Sequence, residues 1–334
     1  MLRRLWLWSA VLGLGLVGVG LATILLGIPD LTLAQLWGIL DGEGTELERL
    51  GVYHLRAPRL VLACLSGAAL GLAGAIMQDG LRNPLAGPEL LGVSSGAATA
   101  AAMVIVFRPS LPGYLVPWIT LVGGLLSAGI VLAVIAKMGK PSSSAVLVLV
   151  GAALSAAFAG ALTVVMVLGD QQEFGAISRF MSGSLASIGW PPVQRVLPWF
   201  ALGLPAALMM GRVLNLLQAG DDIAESKGVR VVRARLFILG LGSALTAAVV
   251  SVAGAISFVA LAAPHVARRL VGTNDSRLVL PVTALAGALQ LSAADLAARL
   301  VFSPVEVSVG FWTALCGGPV LLWVLHRHLR GATE

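Results

Sequence analysis

The chain has 334 residues, of which 58% are hydrophobic and 11% charged, with 40 glycines and a mean hydropathy of +0.94. A soluble domain carries about a quarter charged residues, so this composition excludes one and points to a polytopic α-helical membrane protein. The net charge of +6 does not imply nucleic acid, because in such a chain it is the placement of basic residues that carries information.

Ten apolar runs read as membrane spans within one transmembrane domain covering residues 1–334: about 5–28, 58–78, 92–107, 114–136, 144–168, 192–212, 234–254, 257–271, 278–300 and 307–326. The first follows Met-Leu-Arg-Arg as a signal peptide would. It is longer than an h-region and lacks an Ala-x-Ala site before Pro29, so it reads as a span. Gly67-x-x-x-Gly71 and Gly92-x-x-x-Gly96 supply the small-residue faces that helices in lipid need for close packing. The stretch 79–99 holds two prolines and several glycines between two spans. Irregular backbone at that depth is tolerated where protein covers it or where it lines a watery cavity, which suggests a gate rather than a plain turn. The run at 257–271 is short and contains Pro264, so a tilted or broken span is expected. Asp295 and Arg299 are four apart, ordered for a helical ion pair.

Three connections are long: 29–57, 169–191 and 213–233. The first is acidic through Asp41, Glu43, Glu46 and Glu48. In the third, Gly220 and Gly228 bracket a short helix, Asp221 to Lys227, with acids at its positive end and a lysine at the other. It reads either as a docking surface or as a solvated connector. Of the 22 Lys and Arg residues, 15 fall on one face if the N-terminus is inside, and 7 on the other. That asymmetry puts both termini and the 213–233 segment in the cytoplasm.

Signals for chemistry in the chain itself are weak. Gly92-Val93-Ser94-Ser95-Gly96 matches a nucleophile elbow, but it opens a membrane helix without the strand that motif requires. None of Lys137, Lys140 and Lys227 belongs to a phosphate-binding loop, so energy for uphill transport must come from a partner or an ion gradient. Mid-span ionisable groups are nearly absent, which disfavours a gradient-driven carrier. The spans also lack carboxylate or histidine clusters that would strip and hold a bare metal ion. Cys64 and Cys316 give no disulfide framework.

Three passages together resemble one family. They are Arg82-Asn83-Pro84-Leu85-Ala86 with Leu91 to Gly96; Ala255 to Val259 with Ala263-Pro264-His265-Val266-Ala267-Arg268; and Ala294-Asp295 through Arg299 with Pro304 to Gly310 and Gly317-Gly318-Pro319. The chain is similar over its whole length to the FecCD family, the permease subunits of importers for iron–siderophores, haem and cobalamin. Ala57 and Ser308 depart from the family's usual residues. The resemblance implies a type II ABC importer permease fold, all-α with about ten transmembrane helices. It implies a second permease copy (homodimer or paralogue), two ATP-binding subunits holding ATP and magnesium, a periplasmic or lipid-anchored substrate-binding protein, and the bacterial inner membrane as location. It implies no catalytic residue, metal site or cofactor in this chain. By resemblance, Leu216, Gly220, Asp221, Ala224 and Gly228 couple to the ATPase. Arg56, Arg59 and Arg299 form a solvent-exposed dock for the binding protein's carboxylates, and Asn83, Leu85, Ser142 and Ser143 form a cytoplasmic gate.

Overall fold

The computed structural model describes residues 2–27, 29–137, 144–186 and 189–331, and among them there is no strand. The helices are α1 (Leu2–Leu25), α2 (Leu33–Asp41), α3 (Glu46–Leu50), α4 (Ala57–Leu81), α5 (Val93–Phe107), α6 (Val116–Lys137), α7 (Ser144–Leu168), α8 (Gln171–Ser182), α9 (Trp190–Met209), α10 (Gly211–Ala219), α11 (Asp221–Ser226), α12 (Val231–Ala253), α13 (Val259–Val271), α14 (Ser276–Leu300) and α15 (Val309–Gly331). A π-helical stretch, Gly51–Arg56, joins α3 to α4, and a 3₁₀ turn, Pro88–Leu91, precedes α5.

Every apolar run expected from the sequence coincides with a helix, but not every such helix is a full crossing by length and composition. Six qualify among the described residues, seven if α9 and α10, bent by 45° at Met210, count as one. Helices α5 and the first part of α15 are apolar but shorter, and α13 has 13 residues with Arg268 and Arg269 in its last turn. Pro264 leaves α13 unbroken. The break lies before it, at 254–258, where Phe258 takes a left-handed conformation with φ 68°.

The long connections carry helices of their own: α2, α3 and the π-helical stretch within 29–57, and α8 within 169–191. Capping boxes start α2, α3 and α8: Thr32 with Gln35, Thr45 with Glu48, and Asp170 with Glu173.

Helix α4 is the axis of the bundle. Its apolar span is 72% buried, against 17% for those of α1 and α7. It packs on α9, α12, α13 and α14. Glycine makes this approach possible: a Cβ on Gly67 would strike the Gly287 carbonyl of α14, and one on Gly74 the Ala260 carbonyl of α13. Gly96 meets Gly123 and Ser127 across the α5–α6 crossing in the same way. Because lipid tails compete for ordinary apolar contacts, backbone-to-backbone packing of this kind holds membrane helices together.

Candidate functional site

Charge gathers at the two ends of α4. Near its start, Arg59 and Arg56 are each 7% exposed. Arg59 donates through Nε to both oxygens of Asp295 on α14, at 2.9 and 3.0 Å, and through Nη1 to Glu306 at 3.1 Å. Asp295 is almost wholly buried, whereas Glu306 is 43% exposed. Arg56 spends its guanidinium on backbone carbonyls, donating to Ile24 at 2.6 Å and to Pro29. Arg299 donates to the Thr23 carbonyl at 3.1 Å, and its Nε is buried without a partner. All three arginines line one cavity of about 470 Å³ with Asp30 and Glu306.

Two expectations are corrected here. The arginines are not solvent-exposed: each is drawn inward by acceptors that an unfolded chain would leave to water. The ion pair of Asp295 is with Arg59 of α4, not with Arg299 one turn along, because α4 and α14 pack closely enough for Arg59 to reach across.

The other end carries α10, α11 and the 82–92 turn. Asp221, in the first turn of α11, accepts from Arg82 Nη2 at 2.8 Å and from Arg235 Nη2 and Nη1 at 2.8 and 3.0 Å. Arg235, buried on α12, also donates from Nε to the Gly80 carbonyl of α4 at 3.1 Å. Nearby, Asp79 accepts from Arg268 and from Ser276, both at 2.8 Å, and Gln78 accepts from Arg268 at 2.7 Å. Helix α10 joins this net through Gln218, which donates to Ser276 at 2.8 Å, and through Asn215, which donates to Asp275 at 2.6 Å. Arg277, with Asn215, holds the Asp275 carboxyl down at about 2. His265 Nε2 lies 3.0 Å from the Pro84 carbonyl. A cavity of about 410 Å³ is framed by Gln78, Asp79, Arg82, Asn83, His265 and Arg268.

The short helix expected at 221–227 is present as Asp221–Ser226, with Lys227 as its cap. Gly220 and Gly228 take φ of 130° and 83°, left-handed values that L side chains rarely adopt. The five expected coupling residues are not one surface. Leu216 packs on the core from α10, Ala224 is fully buried, and Gly228 is exposed, whereas the exposed apolar residue on α11 is Ile223. Asn83 and Leu85 sit together in the turn, the Leu85 amide donating to Asn83 Oδ1 at 3.0 Å, with Leu85 exposed. Ser142 and Ser143 lie outside the described residues. Ser95 of the Gly-x-Ser-x-Gly match donates to the Gly92 carbonyl at 3.0 Å within the first turn of α5. Sequence reasoning missed Arg235, Asp79 and Arg268. Their signals were positions near helix ends with complementary charge on other helices and, for Arg268, its place in a passage that carries the family resemblance.

The FecCD transport family profile matches residues 15–327. The Fe(3+) dicitrate transport system permease protein FecD of Escherichia coli (strain K12) is 37% identical over 314 residues, covering 94% of this chain and 96% of its own length. The hemin transport system permease protein HmuU of Yersinia pestis is 37% identical over 323 residues, covering 93% of each chain. A solved structure described as an inward-facing metal-chelate type ABC transporter superposes with a TM-score of 0.83 at 26% identity, covering 96% of this chain and 98% of that one. The architecture is that of a type II ABC importer permease.

Proposed function

The chain belongs to the FecCD transport family, and from that premise we propose that it is the membrane permease subunit of a binding-protein-dependent importer for a ferric siderophore or similar metal chelate. Haem and cobalamin are the alternatives within the same reading. ATP and magnesium are bound by two partner subunits docked at the α10–α11 end. A second permease copy, identical or paralogous, completes the path. The protein spans the bacterial inner membrane many times, with both termini and α11 in the cytoplasm.

The observation that carries this reading is a family match over residues 15–327, joined to an arrangement in which the ion pairs among the described residues lie at the ends of the spans. An ion-gradient carrier needs titrating groups midway, and ion pairs at the two ends give it none. A delivery protein's carboxylates would reach Arg56, Arg59 and Arg299 through the 470 Å³ cavity, with Glu306 giving way at its lip. Asn83 and Leu85, with Ser142 and Ser143, form the inner gate, and α11 receives the ATPase.

Reconstitution tests the reading. Liposomes holding this chain with its ATPase and binding protein are expected to take up a ferric chelate only with ATP present, and vanadate is expected to stop uptake. Gradient-driven accumulation by the chain alone would overturn it.

A further inference from the structure

Helix α11 is held to the bundle at few points. Ala224 is its one buried residue, and Gly220 and Gly228 flank it with open space where a Cβ would stand. Both flanking glycines can take other backbone angles without a side-chain clash. Against that looseness, one carboxylate is gripped by two other helices. Asp221 takes both Nη atoms of Arg235 and one of Arg82, while Arg235 is pinned to the last turn of α4 through the Gly80 carbonyl. Arg82 immediately precedes Asn83 and Leu85. The carbonyl of Pro84 lies 3.0 Å from Nε2 of His265 on α13.

We propose that Asp221 is the link through which displacement of α11 reaches the 82–85 turn, with Arg82 and Arg235 as the positioning residues that transmit it. This rests on the importer reading above. If α11 shifts, either the Arg82–Asp221 pair breaks or the turn follows. The cavity of about 410 Å³ beside Arg82 and Asn83 gives the turn room to follow. A charge-assisted bond between a short, glycine-flanked helix and an irregular turn is directional, and an apolar contact at the same place would slide.

The test uses the full complex in proteoliposomes. Arg82 is 42% exposed, so Arg82→Gln leaves the core intact, and Asp221→Asn removes the charge with little change of shape. Arg82→Gln is expected to copurify with the ATPase and to hydrolyse ATP within twofold of wild type, whereas Asp221→Asn, on the helix that receives the ATPase, is read only by uptake per ATP hydrolysed. Chelate taken up per ATP is expected to fall at least tenfold, and Arg82→Lys is expected to recover part of it. Unchanged uptake per ATP in both variants would overturn the proposal. So would losses that track a fall in complex yield, which would make the pair structural only. Wild-type complex that transports without ATP would instead sink the importer reading, and this link with it.

Discussion

Arg59 shows how a charge is made tolerable inside lipid-spanning helices. Its guanidinium is shared between a buried carboxylate, Asp295, and a half-exposed one, Glu306. Removing one partner of a buried pair leaves the other without compensation, at about 3–5 kcal/mol, whereas an exposed pair contributes about 0.2–1 kcal/mol. Asp295→Ala is therefore expected to lower the thermal unfolding temperature of the detergent-solubilised protein sharply, and Glu306→Gln only slightly. Equal shifts would contradict the division of roles. On the proposed docking role, Glu306 is the partner that an incoming carboxylate would replace without breaking the helix pair.

At the level of elements, α14 illustrates the link between a cap and pH. Asp275 accepts from the Arg277 amide at 3.0 Å as N-cap, and its carboxyl titrates near 2 because Arg277 and Asn215 donate to it. A folded-state value below the unfolded one stabilises above the ordinary carboxylate range, near 3.8, and that contribution disappears as pH falls through about 2. Asp275→Asn keeps an N-cap side chain but not the charge. The stability gap between wild type and this variant is expected to be constant above about pH 5 and to close towards pH 2. A gap independent of pH would place the effect elsewhere. Elements differed in how readable they were. The spans follow from hydropathy alone, and α11 from its two glycines and its acids. Helices α2, α3 and α8 carried a readable signal, Thr32 to Gln35, Thr45 to Glu48 and Asp170 to Glu173, but at 9, 5 and 12 residues they are too short to register as spans. The partners of Arg59, Asp79 and Asp221 were not readable, because they are fixed by which helices cross, and that depends on backbone contacts such as Gly67 with Gly287.

For the molecule as a whole, α4 is a strut. From Arg59 to Arg82 it covers about 35 Å at helical rise. Side chains so far apart with no shared partner contribute independently to stability, within about 0.5 kcal/mol. Glu306→Gln and Arg82→Gln are accordingly expected to add in thermal unfolding. In chelate uptake they are expected not to combine as independent factors, since both ends act on one helix. A double variant whose uptake equals the product of the two single losses would show that the ends work separately.

Arg82 closes α4 in a left-handed conformation, φ 50°, where a glycine would sit without strain. That backbone costs a residue with a Cβ about 1–2 kcal/mol. A terminator chosen for comfort alone would have been side-chainless, so the position trades conformational ease for a guanidinium, and optimising this protein for heat resistance at residue 82 would pull against its work.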